Sequence, residues 1–327
     1  MGKQALLVLG MHRSGTSALT GVLLRLGVEL GPRLYGPQAG VNEQGFFEHA
    51  GIADANEDAL LLLGSSWDDV LALPEHWQSD SRLARLRKKQ MRYVQKDFAK
   101  APLWGLKDPR ICRLLPWWQE MLAELEVEMR YLIVVRDPQE VAGSLAKRDG
   151  FSEDKAALIW LEHNLLAERW TRGQRRAFLS FDQLLSAPAD ALSRVVHTLD
   201  IEFPVSLDRA LPEIERFISP DLRHHAVQQR ASAAADSPVA HARTLFDAIC
   251  RTAETDATQP DLQILEQAWE ALALMRETRA DILTEHLRQV ARDRGYAEEL
   301  VHRIFRSWSW ECGKPLRFVE RLFGGDI

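Results

Sequence analysis

The chain has 327 residues, of which 46% are hydrophobic and 27% are charged, which is typical of a globular protein and not of a disordered or fibrous one. Its 41 basic and 47 acidic side chains give a formal net charge of -6. Because nucleic-acid binding needs a strongly positive surface, this balance argues against a nucleic-acid partner. The three cysteines are widely spaced and predict neither a disulfide framework nor a zinc site.

The N-terminal residues carry no pattern for signal cleavage, and no apolar run approaches the 18 residues of a membrane-spanning helix. We therefore expect a cytoplasmic protein that does not cross a membrane.

Short apolar segments that end at glycine or at charged residues predict buried parallel strands, and longer segments of helical periodicity separate them. The predicted strands are Ala5–Leu9, Tyr131–Val135 and Ala177–Phe181, with a further short strand ending near Lys107. The predicted helices are Ser17–Leu26, Asp54–Leu63, Leu83–Phe98, Leu114–Leu125, Val141–Lys147 and Lys155–Arg172. Strands alternating with helices indicate an α/β fold with a parallel sheet covered on both faces.

The strand pattern ends near Phe203, and the Ala- and Ser-rich stretch Gln229–Pro238 predicts a loop or a domain edge. We therefore expect a domain over residues 1–228 and a helical extension over residues 229–327, with a charged helix over Leu262–Leu287. The last segment places aromatic side chains among arginines. We expect it to pack as an amphipathic helix on its own domain, with peripheral contact to a membrane surface or a partner as the alternative.

An anion-binding loop is predicted at Gly10-Met11-His12-Arg13-Ser14-Gly15-Thr16-Ser17, which follows a strand and opens a helix. Backbone N–H groups and the helix dipole converge at such a turn. A nucleoside-triphosphatase loop would carry lysine where Thr16 stands, followed by a hydroxyl residue that binds magnesium. Here Ser17 supplies the hydroxyl but the positive charge comes from Arg13, which disfavours ATP hydrolysis and suits a terminal anionic group.

Two strand ends share one pattern of a cation followed by Asp-Pro. They are Lys107-Asp108-Pro109 and Arg136-Asp137-Pro138. Asp is a preferred helix N-cap and Pro suits the first helical position, so each motif predicts a strand that ends where a helix begins. In a parallel sheet these ends share an edge with the phosphate loop, so three cations are expected to meet at the ligand-binding edge.

Together these motifs resemble the PAPS-dependent sulfotransferases (PAPS is 3′-phosphoadenosine 5′-phosphosulfate). The likeness is to the bacterial branch and, more distantly, to the tyrosylprotein and heparan sulfotransferases, and it covers residues 3–225. It implies a P-loop NTPase-like three-layer fold with a central parallel sheet, PAPS as co-substrate and no metal. It also implies a 5′-phosphosulfate site at Arg13, Ser14, Gly15, Thr16 and Ser17, and a 3′-phosphate site at Arg136 and Ser144.

The resemblance further implies that Lys107 assists the charge on the transferring group, as the lysine of a Lys-Asp-Pro segment does in the tyrosylprotein enzymes. Three features depart from the cytosolic enzymes. Pro109 stands where those enzymes have a catalytic histidine, Ala18 stands where a tryptophan stacks on adenine, and no late Arg-Lys-Gly segment occurs. The segment Leu222-Arg223-His224-His225 is a weak candidate for closing the adenine side.

The catalytic base is expected in the segment Asn42–His49, which resembles the source of a catalytic glutamate in the heparan and tyrosylprotein enzymes. A gapless match to the heparan pattern selects Glu43, whereas the bacterial branch retains Glu48, which we favour. A carboxylate there can accept the proton of an attacking hydroxyl. Asp108 and His49 are the next candidates.

The sequence thus predicts a sulfotransferase that acts on a hydroxyl, with a carbohydrate or glycolipid favoured as the acceptor. One alternative is a small-molecule kinase of the same fold, which the missing loop lysine disfavours. The other is a non-catalytic nucleotide-binding module, which the joint presence of Arg13, Lys107, Arg136 and Ser144 disfavours.

Overall fold

The computed structural model describes residues 4–38, 45–218 and 234–278, together with Ile282, His286, Gln289 and Val290. Residues 1–278 form one compact unit and residues 279–327 form a second. The sheet and the helices that surround it belong to the first unit.

A single sheet of four parallel strands lies at the centre of the first unit, in the order β2-β1-β3-β4. The strands are β1 (Gln4–Leu9), β2 (Leu103–Lys107), β3 (Glu128–Val135) and β4 (Arg176–Ser180). Val8 of β1 pairs with Lys107 of β2 and with Leu132 of β3, so the carboxyl ends of these three strands share one edge. Because β2 lies on one side of β1 and β3 on the other, the connections after β1 and β2 lead in opposite directions. In parallel sheets a crevice lies at the carboxyl edge where the strand order reverses in this way.

Eleven α-helices are defined in the described part of the chain. They are α1 (Thr16–Arg25), α2 (Ala50–Leu62), α3 (Ala84–Asp97), α4 (Ile111–Glu124), α5 (Pro138–Asp149), α6 (Glu153–Thr171), α7 (Phe181–Ser186), α8 (Pro188–Leu199), α9 (Leu207–Phe217), α10 (Pro238–Ala253) and α11 (Leu262–Thr278). Two short 3-10 turns, Trp77–Ser79 and Ser81–Leu83, lie between α2 and α3. None of the described helices is long and apolar enough to span a membrane.

The sheet separates two helical layers because its side chains alternate between two faces. Leu6 and Val8 of β1, with Leu132 and Val134 of β3, face a core built with α1, α8 and α9. On the opposite face α4, α6 and α10 pack against β3, β4 and one another. The predicted three-layer α/β fold with a central parallel sheet is therefore confirmed.

The prediction was wrong at the end of β4, where Phe181 begins α7 instead of ending the strand. Ser180 accepts a hydrogen bond from the Gln183 backbone while the Gln183 side chain bonds back to Ser180, a capping box that starts a helix. The sequence analysis also missed α8, α9 and α10. The predicted helix Leu262–Leu287 is confirmed over Leu262–Thr278, which is α11. Most of its remaining residues and the predicted aromatic tail lie outside the described residues.

The predicted division between residues 228 and 229 lies in a segment outside the described residues and stays a prediction. Helices α10 and α11, which follow this segment, belong to the same compact unit as the sheet. Helix α10 contacts β4, α5 and α6, and α11 contacts α6 and α10.

The first residue after β1 must be glycine for a steric reason. Gly10 has φ +150°, and a Cβ there would overlap the carbonyl oxygen of Val134 on β3. We expect Gly10→Ala to lower the free energy of unfolding by about 2–4 kcal/mol, since the clash involves backbone that cannot move aside.

Chemical denaturation measures the free energy of unfolding of the variant, and a second glycine-to-alanine substitution serves as the control. Gly143 lies within α5 with open space around its would-be Cβ, so Gly143→Ala should raise stability by about 0.5–1 kcal/mol. Equal effects of the two substitutions would contradict the steric role of Gly10.

Candidate active site

The phosphate loop lies at the shared edge of the strands and leads into α1. Arg13 and Gly15 both have positive φ, at 68° and 88°, and Gly15 is the N-cap of α1. This turn places the first backbone N–H groups of α1, which have no partners within the helix, at the mouth of the crevice. The Ser14 hydroxyl is fully buried and has no hydrogen-bond partner among the described residues. A buried donor without a partner at a helix N-terminus suits an anion.

Arg136 follows β3 and its guanidinium is held by neighbours on three sides. Its Nε donates to Glu140 Oε2 at 2.8 Å, its Nη1 lies 3.4 Å from the Arg13 carbonyl oxygen, and its Cζ lies 5.0 Å from the centre of the Phe181 ring. The third nitrogen, Nη2, is buried without a hydrogen-bond partner in the described part of the chain. The N–H groups of Nη2 could therefore donate to a ligand.

Arg13 links the phosphate loop to α5. Its Nε donates to the Ser144 hydroxyl at 2.8 Å, which brings together two residues 131 positions apart. Burial and the nearby charges of Arg148 and Arg136 lower the pKa of Arg13. Guanidinium groups crowded in this way repel one another, and an anion bound among them would relieve that repulsion.

Lys107 ends β2, and its ammonium group is fully hydrogen-bonded. Nζ lies 3.0 Å from Ser17 Oγ, 3.0 Å from the Phe46 carbonyl oxygen and 2.6 Å from Glu48 Oε1. An ammonium group has three donors, so all three are in use. Lys107 could therefore contact a transferring group only by exchanging one of these partners.

Glu48 lies beneath the loop with its side chain 9% exposed, between Lys107 and Arg110. Its Oε2 is 4.0 Å from Arg110 Nη1. Burial raises the pKa of Glu48, against the lowering effect of Lys107, and Asp108 raises it further. A buried carboxyl with a raised pKa next to the phosphate loop has the properties of a general base.

The two further candidates for the base, His49 and Asp108, both take part in hydrogen bonds within the protein. His49 is the N-cap of α2, where its Nδ1 accepts from the Ile52 backbone and its Nε2 lies 2.9 Å from Asp97 Oδ2. Asp108 accepts from Asn56 at 2.8 Å and from Arg110 Nη1 at 2.9 Å.

The structure brings together most of the residues that the sequence analysis singled out. Those lying at or beside the crevice are Arg13, Ser14, Gly15, Thr16, Ser17, Glu48, Lys107, Arg136 and Ser144. Their roles stay predictions. Glu43 and the segment 222–225 lie outside the described residues. No group of His, Cys, Asp and Glu within the described ranges is arranged to hold a metal ion.

Two aromatic side chains of the site were missed. The Phe181 ring packs so closely beneath Gly15 that a Cβ on Gly15 would overlap it, and Arg136 lies over the same ring. Phe181 directly follows the fourth parallel strand, and this position at the carboxyl edge of the sheet could have indicated that it belongs to the site. Trp67 lies against His12 of the phosphate loop, with ring centres 4.3 Å apart, and nothing in the sequence pattern indicates that contact.

Neither a protein-family model nor a curated protein matches the chain. Among solved structures, the sulfotransferase domain of the Synechococcus PCC 7002 olefin synthase is similar over 75% of this chain and 95% of that domain, with 19% identity and a TM-score of 0.45. The sulfotransferase domain from the curacin biosynthetic pathway is similar over 83% of this chain and 98% of its own, with 13% identity and a TM-score of 0.39.

A sulfotransferase from Mycobacterium avium is similar over 72% of this chain and 71% of its own, with 16% identity and a TM-score of 0.40. All three neighbours are sulfotransferases, the family that the sequence motifs resemble.

The Arg136–Glu140 pair can be tested without knowledge of the ligand. Glu140 is 2% exposed, so Glu140→Gln removes the counter-charge of a buried cation and should cost about 1–3 kcal/mol of stability. Because the cation then lacks its carboxylate, inorganic sulfate should raise the melting temperature more in the variant than in the parent protein.

Thermal unfolding with and without sulfate provides the measurement. The control is Glu124→Gln, which removes an exposed partner of Arg87 and should change stability by less than about 0.5 kcal/mol. An equal sulfate effect in all three proteins would show that Glu140 does not balance an anion-binding cation.

Proposed function

We propose that the chain is a sulfotransferase that moves a sulfuryl group from PAPS to an acceptor hydroxyl. One observation carries the proposal. A buried guanidinium nitrogen of Arg136 has no hydrogen-bond partner among the described residues, and it belongs to a residue in contact with the phosphate loop. Two anion-binding features therefore adjoin each other, as a donor with both a 5′-phosphosulfate and a 3′-phosphate requires.

The loop supports a phosphosulfate more than a triphosphate. Thr16 stands where a triphosphatase would carry its lysine, and the nearest cation in the loop is Arg13. The Arg13 guanidinium is held by Ser144, a predicted 3′-phosphate ligand, so one side chain connects the two predicted subsites. This connection suits one ligand that carries two separate anionic groups.

The donor, when bound, supplies a sulfuryl group whose bond to phosphate oxygen breaks as the acceptor oxygen bonds to sulfur. The residues of the chain provide charge and a proton acceptor. Arg13 and the N-terminus of α1 stabilise the departing phosphate, and Glu48 receives the proton of the attacking hydroxyl. The products are a sulfate ester and adenosine 3′,5′-bisphosphate.

For the acceptor we propose a carbohydrate or glycolipid hydroxyl, and for the location the cytoplasm. A kinase of the same fold is the competing function. Calorimetry separates the two, since a sulfotransferase should prefer adenosine 3′,5′-bisphosphate to ATP whether or not magnesium is present.

Arg136→Ala should weaken binding of adenosine 3′,5′-bisphosphate about 10- to 100-fold, because a charge-assisted contact to phosphate contributes about 1.5–3 kcal/mol. Binding of adenosine 5′-phosphosulfate, which lacks the 3′-phosphate, should change little. Isothermal calorimetry measures both, with the exposed Arg82→Ala as a control that should affect neither. Equal loss for the two ligands would remove Arg136 from the 3′-phosphate site.

Glu48→Gln should lower turnover by about 10²- to 10⁴-fold, because the amide keeps the shape of the side chain but cannot accept a proton. Binding of the bisphosphate should stay nearly unchanged. Because burial raises the pKa of Glu48, the acidic limb of the rate profile should lie above the usual glutamate range and vanish in the variant.

Glu43→Gln is the matched control and should cost much less turnover. The reverse ranking of the two variants would transfer the role of base to Glu43.

A further inference from the structure

Residues 65–71, which we call the strap, follow α2 and are held by basic side chains from three other helices. These side chains are Arg113 of α4, Lys155 of α6 and Arg276 of α11. Arg113 donates to three strap carbonyl oxygens at 2.7, 3.0 and 2.7 Å, Arg276 donates to a fourth at 2.7 Å, and Lys155 lies 3.0 Å from Asp68 Oδ2. With its backbone held at four points, the strap has a defined position.

The strap covers one side of the phosphate loop. Trp67 lies against the His12 ring, with ring centres 4.3 Å apart and planes inclined by 47°, and the Arg148 guanidinium lies 5.1 Å from the Trp67 ring centre. His12 directly precedes Arg13 in the loop. A group bound beside His12 would therefore lie next to Arg13, the residue proposed to stabilise the departing phosphate.

A second histidine, His163 of α6, lies behind His12 and is completely buried. Its Nδ1 is 2.9 Å from the Ile159 carbonyl oxygen. Because a carbonyl oxygen only accepts, Nδ1 carries the proton and Nε2 presents a lone pair. That Nε2 has no hydrogen-bond partner among the residues that the structure describes. A buried acceptor of this kind requires a donor.

The Nε2 of His12 is also buried, and it too lacks a hydrogen-bond partner in the described ranges. The two rings stand edge to face, with centres 6.3 Å apart and planes inclined by 79°. Burial lowers the pKa of His163 to about 3, and burial with the charges of Arg110, Arg148 and Lys107 lowers the pKa of His12 well below its usual value. Both imidazoles are therefore neutral at neutral pH.

The chemistry of these two nitrogens selects the group that they can bind. A carboxylate or a phosphodiester is fully ionised at neutral pH and has no proton to donate to His163 Nε2. An ammonium group has protons, but Arg110, Arg113 and Arg148 around the pair would repel it. The attraction of Asp108 or of Asp68 for a cation at His163 is smaller than the repulsion by Arg113. A neutral hydroxyl both donates and accepts, so one hydroxyl oxygen bound to both nitrogens would satisfy His163 Nε2 and His12 Nε2 together.

We propose that His12 and His163 form a subsite for a hydroxyl group of the acceptor, adjacent to the hydroxyl that reacts. The inference rests on the proposed function, in which Glu48 serves the reacting hydroxyl, so the hydroxyl at the histidine pair is a second one. The acceptor is then a neutral polyol and not an amino alcohol, since a site built for a hydroxyl leaves its polar groups unpaired when that hydroxyl is replaced.

Two isosteric probes test the subsite, trans-cyclohexane-1,2-diol and trans-2-aminocyclohexanol. We expect the diol to bind at least about tenfold more tightly, in line with one hydrogen bond and an avoided buried charge. In nitrogen NMR spectra of histidine-labelled protein, the diol should shift the unprotonated Nε2 resonance of His163, both with and without adenosine 3′,5′-bisphosphate. His163→Leu, which removes the acceptor nitrogen, should reduce the preference for the diol to less than about threefold.

Equal affinity for the two probes, or a His163 resonance that neither probe moves, would overturn the subsite and leave the histidines bound to water alone. The spectra of the unaltered protein decide the matter even if His163→Leu does not fold. Affinity for adenosine 3′,5′-bisphosphate is measured separately. Loss of that affinity with an intact diol response would refute the donor assignment and leave the hydroxyl subsite standing.

Discussion

The site depends on how buried cations at the carboxyl edge of the sheet are balanced. Lys107 satisfies its three donors with one carboxylate and two neutral oxygens, and Arg136 pairs with Glu140 while retaining a nitrogen without a partner in the described chain. An uncompensated cation in a protein interior is costly, so each of these residues requires either an internal partner or an anionic ligand. The parallel topology places these cations together, and within the described residues they differ in compensation, since all donors of Lys107 are in use whereas Arg136 Nη2 has no partner.

This constraint also explains which parts of the site could be predicted from the sequence. The phosphate loop, Lys107 and Arg136 each follow a short apolar segment, and the carboxyl ends of parallel strands meet at one edge whatever the details of packing. The contact between Arg13 and Ser144 could not be derived in that way, because it joins residues 131 positions apart through side-chain geometry. The same holds for Glu140, whose pairing with Arg136 depends on the direction in which α5 leaves the sheet.

The helices after β4 show which elements of the fold could not be predicted from the sequence. Helices α8 and α9 bury one face against α1 and β4, but both are short, α8 begins with Pro188 and α9 contains Pro212, so their sequences are easily taken for loops. Helix α11 was predicted as a helix, yet its contribution to the site was not. Arg276 of that helix donates to the strap and also pairs with Glu162 at 2.7 Å, a carboxylate that lies 3.6 Å from Arg113. One buried carboxylate thus serves two of the cations that hold the strap, and α11 supports a segment whose Trp67 contacts the phosphate loop.

The hydrogen bonds of Lys107 imply a coupling between donor and base under the proposed function. If Lys107 turns toward the transferring group, it must release one of its partners, and Glu48 is the charged one. Lys107 is the group that lowers the pKa of Glu48 most, against burial that raises it. Release of Glu48 would therefore increase its proton affinity at the stage when the acceptor hydroxyl must be deprotonated. The carboxylate would be a stronger base beside a bound donor than in the resting protein, which is the differential stabilisation that accelerates a chemical step.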